Sequence, residues 1–321
     1  MIRLKETQYW PSAESFSQYR NEIYGIAALL IVFYHTFCVA HWAPFRVFSH
    51  GFIGVDLFLL IGGFCLCYSI QKNSLGRFYL NRFKRIYPLW FFVWFICVYP
   101  IRIFVAGEHI TFLDALWEGT VILPLITGCG DCDWFTAAIL LYYLVFPLLW
   151  KVLTKNRYIY IYIYISTLAI ILAILLLLDF TWEQECAISR LPCFMLGIIL
   201  YKTDFDKKAL LAILSVSFIF SIIAYTQQFR YLWAATISPW LVIFMISFFV
   251  FVNEKGWLKA FKPLNWLGRN SLECYYGEKG NGYLLQNVYS HPVMGSFAFL
   301  LYMTVGTLFL SFVNRLIKKI I

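Results

Sequence analysis

The feature that most constrains this chain is a succession of apolar runs, each close to the ~20 residues a helix needs to cross a bilayer core. Ten can be read, at 22–43, 52–72, 87–107, 133–152, 158–179, 186–203, 208–227, 231–252, 266–288 and 292–313. Hydrophobic residues make up 61% of the chain, charged residues 13%, and mean hydropathy is +0.72. A soluble domain carries roughly 25% charge to cover its surface, so the surface of this chain must mostly face lipid. The 12 Trp and 22 Tyr suit a water–lipid boundary. The expected fold is an all-α integral membrane protein, a bundle of about ten transmembrane helices. The expectation is a single membrane domain over 1–321, with a short cytoplasmic segment at 1–20. That first segment is polar (Arg3, Lys5, Glu6, Glu14, Arg20), so no cleavable signal is expected.

The formal net charge of +9 is a topology signal. With the N-terminus inside, every Lys and Arg except Arg46, Arg102, Arg190, Arg230 and Lys279 falls in or beside a cytoplasmic segment. Short loops with that bias orient the chain with both ends in the cytoplasm. The basic excess is therefore no nucleic-acid footprint, and the partner implied is membrane lipid.

The tyrosine alternation Tyr158 to Tyr164 looks strand-like alone, but an open strand cannot pair its backbone in lipid, so a helix is expected. The stretch 108–132 reads as a short interfacial or re-entrant helix, because a crossing there would invert every later loop. The run 266–288 is the weakest span: with Ser271, Glu273, Glu278, Lys279, Asn281 and Gln286, it must be shielded by neighbours, frayed or lining a polar cavity. Among nine cysteines, Cys129 and Cys132 share the outer loop, where a disulfide or free thiols both fit. The five histidines are scattered, none spaced as a metal pair, and no metal is expected.

Ionisable residues inside spans are costly and point to function. His35 lies about 20 Å along the first span from Glu22, and Asp56 about 6 Å into the antiparallel second span, at comparable depth. A histidine oriented by a carboxylate is a general base for a hydroxyl. The alternative is a neutral histidine bonded to a helix carbonyl, with Asp56 capping its helix. Arg82 and Arg85, at i and i+3 beside Lys84, share a helix face able to grip phosphate, or serve as a positive-inside anchor.

In order along the chain stand Gly25-Ile-Ala-Ala-Leu…Tyr34-His35, Gly54-Val-Asp-Leu-Phe58…Gly63-Phe64 and Arg82-Phe-Lys-Arg85-Ile-Tyr-Pro88. They are followed by Trp134-Phe135…Tyr142-Tyr143-Leu144…Pro147, Arg190-Leu-Pro-Cys-Phe-Met-Leu-Gly197 and Leu267-Gly-Arg-Asn-Ser271…Tyr275. Together they resemble the acyltransferase-3 family of membrane O-acyltransferases. The resemblance implies acyl transfer from cytoplasmic acyl-CoA, most often acetyl-CoA, to hydroxyls of envelope or exported glycans at the cytoplasmic (inner) membrane. It makes His35 the essential histidine and Arg82 and Arg85 the pair that handles acyl-CoA, with Lys84 adding field.

Some positions depart from the family. Its arginine eleven positions before the histidine is Tyr24 here, with Arg20 one helical turn earlier. Its Ser before Gly-Phe is Gly62, a frequent Glu is Ile139, and a late histidine falls near Glu278. Trp134, Tyr143 and Tyr275 are candidates to meet a sugar ring, and Arg190 to meet an anionic sugar, packing and snorkelling being the alternatives. Partners left open are a lipid-linked sugar acceptor, a second copy of the chain and glycan-assembly machinery. Two rival readings stand: a glycan or small-solute transporter, and an inactive family member serving a complex.

Overall fold

The structure is a computed structural model that describes residues 11–128, 133–153 and 159–320. The Cys129–Cys132 question lies outside them. Among the described residues there is no strand, and nine helices are long and apolar enough to cross a membrane.

The first is α1 (Ala13–Ala40). It starts well before the expected position because Ser12 and Ser15 form a reciprocal capping box, Ser15 N–H bonding Ser12 Oγ at 3.1 Å. A hydropathy window passes over that polar first stretch. Next come α2 (Ile53–Lys72), α3 (Leu75–Phe91) and α4 (Tyr99–Phe104), the last two joined by a π-helical stretch, Phe92–Val98, into one crossing. Of the 108–132 segment, the described part, 108–128, forms two short helices, α5 (Phe112–Gly119) and α6 (Ile122–Thr127), rather than one. Buried Glu118 anchors them, accepting from Trp94 Nε1 (3.0 Å), Tyr99 Oη (2.6 Å) and Arg102 (3.0 Å).

The crossings then continue with α7 (Trp134–Val152) and α8 (Ile159–Leu177), which takes Tyr160, Tyr162 and Tyr164 of the alternation into helix. A sixth crossing is split into α9 (Trp182–Ile188) and α10 (Leu191–Thr203), followed by α11 (Lys207–Thr226) and α12 (Arg230–Glu254). The α2–α10 contact brings the backbones together at Gly63 and Gly197. A Cβ at Gly197 would lie 2.0 Å from the Leu60 carbonyl oxygen, and one at Gly63 2.1 Å from that of Phe194. Large apolar side chains such as Leu177, Phe244 and Leu301 point outward, as a lipid-facing surface requires.

The run 266–288, the weakest of the expected spans, is not one helix. The chain here is broken into α13 (Lys262–Arg269), α14 (Ser271–Gly277) and α15 (Asn281–Leu285), leading to α16 (Pro292–Ile320). The broken stretch runs beside α1 from end to end. Asn265 donates to Glu22 (2.7 Å), Glu278 meets His35, and Tyr289 and Ala40 both pack on Gly295. The break follows from composition, since Gly280 takes a left-handed φ of 81° and the polar residues need partners in lipid. α16 supplies them: Ser311 donates to Asn270 Oδ1 (2.7 Å), Asn314 to Glu273, and Tyr302 to the Lys279 carbonyl (2.7 Å). Gly295, at the head of α16, meets the tail of α1, so the two helices run oppositely and Ala13 and Ile320 lie at the same end of the bundle.

Candidate active site

On a helix, positions 24, 28, 31, 32 and 35 share one face, and that face of α1 lines a cavity in the centre of the bundle. With the open space at its mouths included, the empty space amounts to about 1330 Å³. It brings together His35, Tyr24, Arg82, Arg85, Trp134, Tyr143, Arg190 and Tyr275. With Phe58 of α2, Trp182 of α9, Tyr231 of α12 and Met303 of α16 also in the wall, residues from eight helices converge on one space.

Inside it, His35 Nδ1 lies 2.5 Å from Glu278 Oε2. The Glu278 side chain is 10% exposed, that of His35 34%, open to the cavity. A carboxylate on Nδ1 fixes the tautomer with that nitrogen protonated and leaves Nε2 for the cavity. The same carboxylate offsets the charge of an imidazolium, so the arrangement suits a general base.

The carboxylate is not the expected one. Asp56 is fully buried, pairs with Arg190 at 3.5 Å and does not line the cavity. The reason is helical phase: Gly54 packs on Ala27 of α1, and two residues further on is about 200° round the helix. Asp56 therefore turns away from α1, where its own carbonyl accepts from Cys193 of α10 (3.1 Å). It anchors Arg190 instead.

Glu278 belongs to a larger network. Lys279 Nζ lies 3.1 Å from Tyr275 Oη, 3.5 Å from Asp133 and 3.9 Å from Glu278 Oε1. Asp133 also accepts from Tyr275 Oη and, at 2.6 Å, from Thr136 Oγ1. The sequence marked Glu278 and Lys279 as awkward residues in a weak span, and Glu278 as near the place of a late family histidine, but gave neither a role and missed Asp133 and Thr136 as their support. The polarity of 271–286 was the signal.

At the end nearer the chain termini, Arg82 and Arg85 project into the cavity from one face of α3. Arg82 donates to Ser69 Oγ (3.2 Å) and lies over the Phe78 and Tyr143 rings at 5.9 and 6.0 Å, with its Nε buried and unbonded. Tyr24 stacks on Phe58 at 5.2 Å, filling with an aromatic pair the place where the family carries an arginine. Arg20 is exposed below it, beside the Cys65 thiol at the cavity wall. Lys84 does not reach the site: between Arg82 and Arg85 on the helix, it faces outward and is exposed.

At the other end the walls are aromatic. Trp134 meets Trp182 at 6.2 Å, Tyr231 meets Phe52 at 5.8 Å, and Phe52 meets Tyr34 at 5.5 Å. The Arg190 guanidinium lies 5.0 Å from the Trp134 ring and 4.8 Å from that of Tyr231. Trp182, Tyr231 and Phe52 were not singled out in the sequence, because interfacial aromatics are common in any membrane chain.

The profile of the acyltransferase-3 family, described as an acyltransferase domain, matches residues 25–316. A protein of Acidianus two-tailed virus, ORF330, named as an acetyltransferase, is 30% identical over 108 residues, 32% of this chain and 32% of its own length. The acyltransferase MdmB of Streptomyces mycarofaciens is 31% identical over 125 residues, 35% of this chain and 32% of its own. The chain thus spans about a third of the length of these curated relatives. No solved structure matches.

Proposed function

The chain belongs to the acyltransferase-3 family, and from that premise we propose that it is a membrane O-acyltransferase. It moves a short acyl group, acetyl first among them, from acyl-CoA to a hydroxyl of an envelope or exported glycan. The observation that carries this reading is the His35–Glu278 pair set in one cavity with the Arg82–Arg85 pair. By the bias of its short basic loops, the end holding Ala13, Ile320 and the arginine pair is cytoplasmic, in the inner membrane.

The CoA phosphates meet Arg82, Arg85 and Arg20, whose charges attract phosphate. The pantetheine arm extends past Tyr24 toward His35. The acceptor enters from the opposite face, its ring against Trp134, Trp182 and Tyr231, aromatic surfaces able to stack on a sugar. His35 Nε2 takes the hydroxyl proton as the oxygen attacks the thioester carbonyl carbon. The tetrahedral intermediate then collapses, the C–S bond breaks, and the imidazolium returns its proton to the CoA sulfur. Glu278 holds the imidazolium while it exists. Direct transfer needs no acyl-enzyme, and the one-base geometry favours it.

A transporter reading shares one observation, the broken crossing at 262–291. Purified protein in nanodiscs, given acetyl-CoA and envelope glycan, separates the two. Release of CoA that His35→Ala abolishes supports the enzyme. Glycan movement without CoA release selects the transporter.

A further inference from the structure

An alkoxide attacking a thioester leaves negative charge on the carbonyl oxygen, and His35 and Glu278 provide no donor for it. We propose that Lys279 is that donor, a further catalytic residue whose ammonium meets the oxyanion; this rests on the acyl-transfer reading above.

The structure holds Lys279 at both ends. Its backbone carbonyl accepts from Tyr302 Oη at 2.7 Å, just before the left-handed turn at Gly280. Its side chain crosses the Tyr275 ring, with Nζ 4.4 Å from the centroid and 3.1 Å from Oη. Asp133, steadied by Thr136, lies 3.5 Å from Nζ. The side chain is 21% exposed and lines the cavity, so that exposure faces the reaction space. An ammonium has three N–H groups. One points to Tyr275, and at 3.5 and 3.9 Å neither carboxylate lies within ordinary hydrogen-bond range of Nζ. A donor beside the His35–Glu278 pair is therefore available, fixed in place before the reaction begins, which is what makes such groups effective.

The charges around it fit the reaction step. Facing one another are Lys279, Asp133, Glu278 and His35, with the hydroxyls of Tyr275, Tyr276 and Thr136. At rest the cluster has one cation and two carboxylates. Once His35 takes the proton, the cluster is neutral and the new negative charge lies on the acyl carbon's oxygen, next to Lys279. On collapse that oxygen re-forms the carbonyl, the C–S bond breaks, and His35 gives its proton to sulfur. No oxidant or further reactant is needed. Asp133 and Tyr275 are positioning residues in this scheme.

The competing role for Lys279 is to neutralise Asp133. Both roles make Lys279→Met slow, so the test pairs it with Asp133→Asn, using full-length protein in nanodiscs, acetyl-CoA and envelope glycan. CoA release by wild type, Lys279→Met, Lys279→Arg, the Met/Asn double variant and His35→Ala is compared, with melting temperatures confirming folding. The expected result is a loss of about 10²–10³ in kcat for Lys279→Met, with KM for acetyl-CoA within about threefold of wild type. The double variant stays as slow, and Lys279→Arg recovers part of the rate. If the double variant returns to within tenfold of wild type, or Lys279→Met is near wild type while His35→Ala is dead, Lys279 is not the donor. If wild type releases no more CoA than His35→Ala, the acyl-transfer reading fails and this assignment falls with it.

Discussion

Changing Glu278 to Gln keeps the shape of the side chain and removes its charge, so it tests what the 2.5 Å contact to His35 does. As His35 accepts a proton in the transition state, the imidazolium gains a carboxylate whose charge centre is about 4 Å away. Two unit charges at ~4 Å and an effective dielectric of ~20 interact by about 4 kcal/mol. At 1.36 kcal/mol per decade that is about three decades of rate. A second effect has the same sign: the Gln amide can donate to Nδ1 and place the imidazole proton on Nε2, where it blocks the base. The expected loss in kcat is therefore about 10³-fold, with KM for acetyl-CoA little changed because the arginine pair is untouched. CoA release read with a thiol reagent measures it, and thermal melts confirm that the variant folds. Glu278→Asp keeps the charge but draws it back by one methylene, so an intermediate rate is expected. A Gln variant within threefold of wild type would remove Glu278 from the chemistry.

The donor site and the buried pair make their own predictions. Arg82→Ala or Arg85→Ala removes a charge-assisted contact of ~1.5–3 kcal/mol, so KM for acetyl-CoA should rise about 10- to 100-fold with kcat held within threefold. A fall in kcat at unchanged KM would argue against phosphate binding there. Asp56→Ala leaves the buried Arg190 guanidinium without its carboxylate, a cost of ~3–5 kcal/mol. The melting temperature should drop by several degrees and recover when Arg190→Met is added. An unchanged melt in the single variant would show that the pair contributes nothing to stability.

The bundle was legible in the sequence because lipid imposes a length of ~20 apolar residues on each crossing. Where a crossing departs from that rule, legibility fails. α1 begins at Ala13 on a serine capping box that hydropathy does not register. The 262–291 stretch crosses in pieces because α16, distant in sequence, satisfies its polar groups. The site divides in the same way. Residue type and helix spacing singled out His35, Arg82 and Arg85 but left an anchor or a packed histidine equally open; the family resemblance supplied their roles, and all three line the cavity. Depth alone could not choose the histidine's partner. Asp56 matched His35 in height but not in rotation about its helix, while Glu278 stands 243 residues away on a broken segment. Lys84 was expected to add field beside the arginine pair, but it is exposed and does not line the cavity.

The most direct measurement is ester-linked acetate on the envelope glycans of the producing cell, compared among the native protein, His35→Ala and a deletion, at equal expression. Acetate present with the native protein, and equally low in His35→Ala and the deletion, is the expected result. Equal acetate in all three would contradict envelope O-acetylation by this protein.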